Sequence, residues 1–352
     1  MASRAEPFIT ESLEAVRQRP GMYIGGTGID GLHHLGFEVI GNSIDQVLLL
    51  RATSISVELS DGWLTVEDNG AGISIETVAG GLTFLESVFT SLHQSPTRDG
   101  PRPHVHVTAG LTGVGLGPVS ALCQRVEVES HREGLCHRAA FSRGAVREAV
   151  TLVGPTQQQG LRVKLFPDPE IFEAAAFEMG RLETAIRRFA SLTPEVSWRF
   201  QHHDVSKPDG LVSFLIDTAN GTLEPGSIGV FEGEVADVEI AFAVALTTRV
   251  RPAQVPAITS WVNLSSTEEG GSHVRGMLAG LNDALGAQWK VLEPRVVAAL
   301  HLVLAHPRFE GPTKARLAVP MTEALVRDFV ADRMSAPSDL RVTWTQLAHA
   351  QR

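Results

Sequence analysis

The sequence predicts an α+β protein of two domains, and three observations lead there. The chain has 352 residues, more than a single hydrophobic core ordinarily holds. Helix-like and strand-like periodicities follow one another without the strict alternation that builds a parallel α/β sheet. Pro208-Asp209-Gly210 is strong turn chemistry just after a strand-like stretch at 196–200, so a domain boundary is expected there. That gives a first domain over 1–205 and a second over 206–352.

Taken in order, 32–50 reads as a helix, because Leu32, Leu35, Val39, Ile40, Val47 and Leu48 recur at helical spacing. A hairpin follows. Ile55, Val57 and Leu59 alternate with polar residues, Asp61-Gly62 supplies a tight turn, and Leu64 and Val66 continue on the return strand. The stretch 94–108, with Pro96, Gly100, Pro101 and Pro103, reads as a loop inside the domain. Strands are expected at 126–128 and 162–166, and a helix at 178–190. In the second domain, 238–246 and 258–264 read as strands, and 273–285 and 323–334 as helices. The five tryptophans, Trp198 and Trp261 among them, are expected in the cores.

Hydrophobic residues make up 43% of the chain, an ordinary globular share. No apolar run approaches the ~20 residues of a membrane span, and the first residues lack the apolar centre of a signal peptide. A cytoplasmic location without a membrane partner is therefore expected. The formal net charge of −10 argues against a surface uniformly coated by nucleic acid. Cys123 and Cys136 form no CxxC pair, so they are expected as two reduced thiols rather than zinc ligands or a disulfide.

Three segments carry chemistry. His34, Glu38 and Asn42 are spaced by four, so a helix stacks them on one face, which Asp45 and Gln46 extend. A histidine can hold a glutamate in place, and an amide one turn further on can ligate a metal ion. That set suits a base activating water beside a magnesium-bound phosphate. The spacing equally fits a solvated helix face. The second segment is Asp68-Asn69-Gly70-Ala71-Gly72-Ile73 at the end of the return strand. Its glycines let backbone approach a ligand, and Asp68 can accept a hydrogen bond from an exocyclic amine such as that of adenine. The third is Gly110-Leu111-Thr112-Gly113-Val114-Gly115, before a helical stretch from Pro118. Glycines at a helix start expose N–H groups to phosphate oxygens. Each glycine segment alone also reads as a plain turn; the order of the three segments is the informative part.

In that order the sequence resembles the B subunits of DNA gyrase and topoisomerase IV, members of the gyrase, heat-shock chaperone, histidine kinase and MutL ATPase superfamily. The resemblance runs through the segments above. It also includes 13–25, ending Arg19-Pro20-Gly21-Met22-Tyr23-Ile24-Gly25, together with Glu269-Gly270-Gly271-Ser272-His273 and Phe309 followed by Thr313-Lys314. It implies a two-layer α/β sandwich ATPase domain followed by a transducer domain with a ribosomal-protein-like α+β fold. It implies ATP and Mg²⁺ as ligands. Glu38 would be the general base, His34 its support and Asn42 the magnesium ligand. Asp45, Asp68, Gly70, Gly72 and Ile73 would lie around the nucleotide, with Asp68 reading the adenine amine. Gly110, Leu111, Gly113, Val114 and Gly115 would form the phosphate lid. Lys314 would reach the γ-phosphate and stabilise developing charge. A nucleotide-dependent homodimer is implied, with a gyrase A-like subunit and, through it, DNA as partners.

The sequence departs from that pattern at several places. An expected Asp is Gly41, a Glu–Arg pair beside the adenine is Gln46 and Ala71, and the lid His is Thr112. The family's Thr-Gly-Thr reads Gln159-Gly160-Leu161, and the Gln before the sensing Thr-Lys is Pro312. The single tyrosine is Tyr23, so the lid tyrosine is absent. None of these changes removes the base, the amide, the adenine carboxylate or the lysine. Compared with the family the chain ends after the second domain, near Trp344, which implies an ATPase fragment or a stand-alone paralogue that cuts no DNA by itself. The alternative to a topoisomerase-coupled ATPase is a nucleotide-binding regulatory paralogue with little or no hydrolysis. His104 with His106, and His202-His203-Asp204, lack a further ligand at a fixed spacing. Arg138 resembles an arginine on the adenine-pocket rim but equally suits an exposed strand, and Arg187-Arg188 suits a solvated helix face.

Overall fold

The computed structural model describes residues 13–49, 51–78, 80–92, 115–173, 176–250, 255–310 and 314–350. The described chain divides into two compact units, one running to residue 182 and one starting at 183. The proline-rich loop, with His104 and His106, lies outside the described residues.

The first unit contains α1 (Leu13–Gln18), α2 (Gly21–Ile24), α3 (Ile29–Leu48), β1 (Ser54–Ser60), β2 (Trp63–Asp68), α4 (Phe84–Thr90), α5 (Leu116–Ala121), β3 (Cys123–Arg132), β4 (Leu135–Ser142), β5 (Ala145–Pro155) and β6 (Gly160–Pro167). Helix α6 (Met179–Leu192) leads into the second unit. Within the first unit the strands lie in the order β5-β4-β3-β6-β2-β1. Burial alternates along them. Leu64, Val66 and Asp68 are buried while Trp63, Thr65 and Glu67 are half-buried, so one face is covered by helices and the other is open. The open face carries a row of alternating charge across directly paired positions, Glu67, Arg162, Glu129 and Arg138.

The expected helix and hairpin are present, and the hairpin turn closes at Asp61 and Gly62, both at positive φ. Two strands beyond those expected, β4 and β5, use the same device. Glu133-Gly134 joins β3 to β4 and Arg143-Gly144 joins β4 to β5, again with positive φ at all four residues. These turns place a charged residue other than Asp or Asn before the glycine, which weakens the sequence signal. Helix α1 is tied down by Arg17, whose guanidinium reaches Asp168 at 2.8 Å and the Ala121 carbonyl at 2.8 Å. Asp168 is fully buried and also receives Arg143 at 2.9 Å. Both cysteines are buried free thiols.

The second unit begins with a short hairpin, β7 (Ser197–Phe200) with β8 (His203–Asp204), followed by α7 (Leu211–Ala219). It continues with β9 (Gly229–Val235), β10 (Val238–Leu246), β11 (Ala257–Val262), β12 (Ser265–Ser266), α8 (Ser272–Leu285), α9 (Trp289–Leu292), β13 (Val296–Val303), α10 (Met321–Ser335) and α11 (Asp339–His349). Its sheet runs β12-β11-β13-β10-β9, with β11 and β13 parallel and the other neighbours antiparallel. The central strand β13 was not among the expected elements. Val-Val-Ala-Ala-Leu-His-Leu-Val shows no alternation because both of its faces are covered. Helices α8 and α10 close one face, where Val244, Leu300, Met277 and Val326 share a core. On the other face Phe214 of α7 meets Trp261 edge-on at 4.8 Å between centroids. Trp198, Trp261 and Trp344 are fully buried, whereas Trp63 is half-buried.

Candidate active site

Helix α3 positions the first group of residues. From Gly31 to Leu48 every residue is buried except Phe37 and Glu38, which are half-buried. The solvated-face reading of His34, Glu38 and Asn42 is therefore wrong, because the helix has no exposed stripe through this span. Gly36 permits the approach: a methyl group there would sit 2.8 Å from the Leu64 side chain and 3.0 Å from Phe177. The His34 Nε2 lies 3.3 Å from the Glu38 Oε1. The other Glu38 oxygen accepts a 3.3 Å hydrogen bond from the backbone N–H of Gly115. A carboxylate so placed, with the rest of its helix buried, is oriented rather than free to rotate in solvent. Asn42, Asp45 and Gln46 are 7%, 2% and 5% exposed.

The second group forms at the end of β2. Asp68 is 3% exposed. Its Oδ2 accepts from the Ser43 hydroxyl at 2.8 Å and its Oδ1 from the Gly70 N–H at 2.8 Å. Burial dominates its titration and pushes the carboxyl from 3.8 up to about 6; the Ser43, Gly70 and Leu161 bonds pull the other way. The glycines are required by contact. At Gly72, with φ +66°, a Cβ would lie 2.9 Å from the His131 carbonyl oxygen and 3.1 Å from that of Gly160. At Gly160, with φ +119°, it would overlap the Asp68 carbonyl at 1.8 Å. Ser130 fastens the turn by accepting from the Ile73 N–H and donating to the Ile73 carbonyl, both at 2.8 Å.

The altered pair has a structural resolution. Gln46 Oε1 accepts from the Ala71 N–H at 3.2 Å, and Arg132 donates to the Ala71 carbonyl at 3.4 Å. A neutral amide thus reaches the turn's backbone where a charged pair is expected, and no carboxylate is left alone there. Leu161, where the resemblance leads to the expectation of a hydroxyl, is 4% exposed beside Asp68 in the β2–β6 register. Arg138 pairs with Glu129 on the open face. Arg187 pairs with Glu183, but Arg188 is half-buried with an Nε lacking a hydrogen-bond partner, unlike a solvated-face residue.

Three contributors carry no role legible in the sequence: Ser43, Ser130 and Gly160. Ser43 adjoins Asn42 in Asn42-Ser43-Ile44-Asp45, and its bond to Asp68 spans 25 positions. Gly160 stands within Gln159-Gly160-Leu161, where the feature visible in the sequence is the missing hydroxyl. Gly110, Leu111, Gly113 and Val114 lie outside the described residues, as do Pro312 and Thr313. Lys314, in the second unit, is half-buried with φ +53°, an uncommon backbone conformation for a residue with a side chain. Among the described residues no three His, Cys, Asp or Glu side chains cluster as metal ligands. Among the same residues no helix is long and apolar enough to cross a membrane.

A one-face-covered sheet, a buried helix bearing Glu38 and Asn42, and a buried carboxylate beside a glycine turn describe an α+β domain with a candidate nucleotide site. The family described as histidine kinase-, DNA gyrase B- and HSP90-like ATPase matches residues 27–168. Among curated relatives, the DNA gyrase B subunit of Thermus thermophilus is 36% identical over 93% of this chain and 55% of its own. The type 2 topoisomerase B subunit of Aquifex aeolicus is 33% identical over 92% of this chain and 43% of its own. The DNA topoisomerase 4 B subunit of Caulobacter vibrioides is 33% identical over 94% and 52%. The crystal structure of the 43K ATPase domain of Thermus thermophilus gyrase B, solved with an aminocoumarin, superposes with a TM-score of 0.80. It is 30% identical and covers 96% of this chain and 93% of that one. The gyrase B-subunit structure from Myxococcus xanthus shares the fold with a TM-score of 0.80 at 21% identity, covering 97% of this chain and 99% of its own.

The chain belongs to the DNA gyrase B and topoisomerase IV B family, as an ATPase module of that type. It spans about half the length of the curated relatives it matches.

Proposed function

We propose that this chain binds ATP with Mg²⁺ and hydrolyses it. The carrying observation is Glu38, which has the His34 Nε2 3.3 Å from one oxygen and the Gly115 N–H donating to the other. In this reading Glu38 takes a proton from the attacking water, and His34 keeps the carboxylate oriented. Asp68 accepts a hydrogen bond from the adenine amine, and its own bonds from Ser43 and Gly70 fix the accepting oxygens. Gly70, Gly72 and Ile73 lie beside the adenine next to Asp68, and Asp45 adds a buried carboxylate on the helix of Glu38.

Asn42 suits Mg²⁺. It offers one amide oxygen, and this ion takes few protein ligands and otherwise keeps water and phosphate oxygens. Bound there, the ion would neutralise phosphate charge. Gly110, Leu111, Gly113, Val114 and Gly115 serve as the phosphate lid, and Lys314 contacts the γ-phosphate. The reading puts the ATP-binding region at 1–205 and the transducer at 206–352, a boundary later in the chain than the division between the compact units at 182 and 183. Nucleotide-dependent homodimerisation, a gyrase A-like partner, action on DNA topology through that partner and a cytoplasmic setting complete the proposal.

The test is ATP turnover with and without DNA, alongside calorimetric ATP binding, for the wild type and Glu38→Ala. Turnover abolished by Glu38→Ala with binding retained supports the reading. Tight binding with no wild-type turnover leaves a nucleotide-binding regulatory module instead. Absence of binding overturns both.

A further inference from the structure

The second unit holds an arrangement that concerns Lys314, and it rests on the reading of that lysine as the γ-phosphate contact. Residues Ala315–Ala318 form a strap hydrogen-bonded along both edges. On one edge the Glu310 N–H donates to the Arg316 carbonyl at 2.9 Å and the Ala318 N–H to the Arg308 carbonyl at 2.7 Å. On the other, the Glu269 N–H donates to the Ala315 carbonyl at 2.9 Å, the Leu317 N–H to the Gly270 carbonyl at 2.9 Å, and the Ser272 N–H to the Leu317 carbonyl at 3.1 Å. The contact is too close for any side chain. A Cβ on Gly271, whose φ is +134°, would lie 2.3 Å from the Leu317 oxygen and 2.5 Å from its nitrogen. Leu317 itself is 1% exposed in the sheet–helix core.

The far side of the same loop is anchored as firmly. The Ser272 hydroxyl meets the Thr322 hydroxyl at 2.8 Å, at the start of α10. His273, fully buried at the start of α8, places Nε2 3.1 Å from the Thr267 hydroxyl, which meets the Ser260 hydroxyl of β11 at 2.6 Å. Sheet, α8 and α10 thus converge on one loop, and that loop fixes the strap at whose first end Lys314 sits with φ +53°. A backbone conformation of that kind persists only where its surroundings impose it.

We propose that Gly270, Gly271, Ser272 and His273 are positioning residues for Lys314: by clamping the strap at Leu317 they set where the lysine ammonium stands, and so tune the site's preference for a triphosphate over a diphosphate. None of the four touches nucleotide in this assignment. They act through the register of the strap, because a charged contact misplaced by about 1 Å loses most of its value.

The test is equilibrium binding of ADP and of a non-hydrolysable ATP analogue to wild type, Lys314→Ala, Gly271→Ala and the double variant, with Mg²⁺ present. The expected result is a wild-type preference for the analogue of about 10-fold or more, as one charge-assisted contact supplies. Lys314→Ala and Gly271→Ala should each remove that preference with ADP affinity unchanged, and the double variant should lose nothing more. Ser272→Ala, which adds no bulk, should reduce the preference several-fold in the same lysine-dependent way, and it decides the matter if Gly271→Ala does not fold. A preference lost in Lys314→Ala but kept in the Gly271 or Ser272 variants overturns the clamp alone. A preference that survives Lys314→Ala overturns the lysine reading, and the clamp with it. ADP affinity falling in parallel with analogue affinity marks a general folding defect and also overturns the proposal.

Discussion

Replacing Asp68 by asparagine should make the protein more stable at mildly alkaline pH while weakening nucleotide binding. The carboxyl is buried and titrates at about 6 instead of 3.8. A folded pKa raised above the unfolded one contributes stability that is complete below the unfolded value and is lost as pH rises through the folded value. The shift of about 2 pK units corresponds to about 3 kcal/mol lost above both values. Most of the proton is still bound at about pH 5 and almost none at about pH 8, so about 1.4 kcal/mol of that loss falls between those two pH values.

The asparagine cannot ionise, and its cost is a weakened pair of bonds from Ser43 and Gly70, about 1 kcal/mol at either pH. Urea unfolding of both proteins at the two pH values, with calorimetric ATP binding, measures the effect. The stability of D68N relative to wild type should improve by about 1.4 kcal/mol on going from about pH 5 to about pH 8. A difference that does not change with pH would refute burial as the cause of the raised carboxyl. Unchanged ATP affinity in the variant would remove Asp68 from the adenine site.

Further expectations concern the second unit and α6. Arg295 is 1% exposed, donates from Nε to the Thr247 carbonyl at 2.6 Å and pairs with Glu224. Arg295→Met should cost about 3–5 kcal/mol in urea unfolding because it leaves Glu224 unpaired, and adding Glu224→Gln should recover part of that loss. Gly276→Ala would place a methyl 2.4 Å from the Glu323 carbonyl where α8 meets α10, lowering stability by about 1–3 kcal/mol in the same assay. Gly180→Ala in α6 meets nothing within 4 Å and should instead raise stability by about 0.5 kcal/mol, read as a higher melting temperature.

Periodicity carried much of the fold. Helix α3, the β1–β2 hairpin, β10, β11, α8 and α10 each have one face or one stripe that repeats in the sequence. Two of the elements that escaped, β13 and β5, lack such a pattern. Strand β13 is apolar throughout because it is covered on both faces, and β5 is largely exposed along its length. Neither gives an alternation to read.

The candidate site divides similarly. The order of Glu38, Asn42, Asp68 and the glycine turns was legible because each residue type at that spacing suits a base, an amide ligand and an amine acceptor. The sequence alone thus determined the family-like set of chemical groups. Whether His34, Glu38 and Asn42 faced water was not legible, since helical spacing is the same on a wet face and a dry one. Only the tertiary structure decided that, by covering α3 on nearly every side. It also decided that Ser43 and Gly70 hold Asp68, that Gly160 must lack a side chain, and that Gly271 meets Leu317. Most of these contacts join residues distant in the chain, and spacing along one segment carries no information about what another segment brings against it.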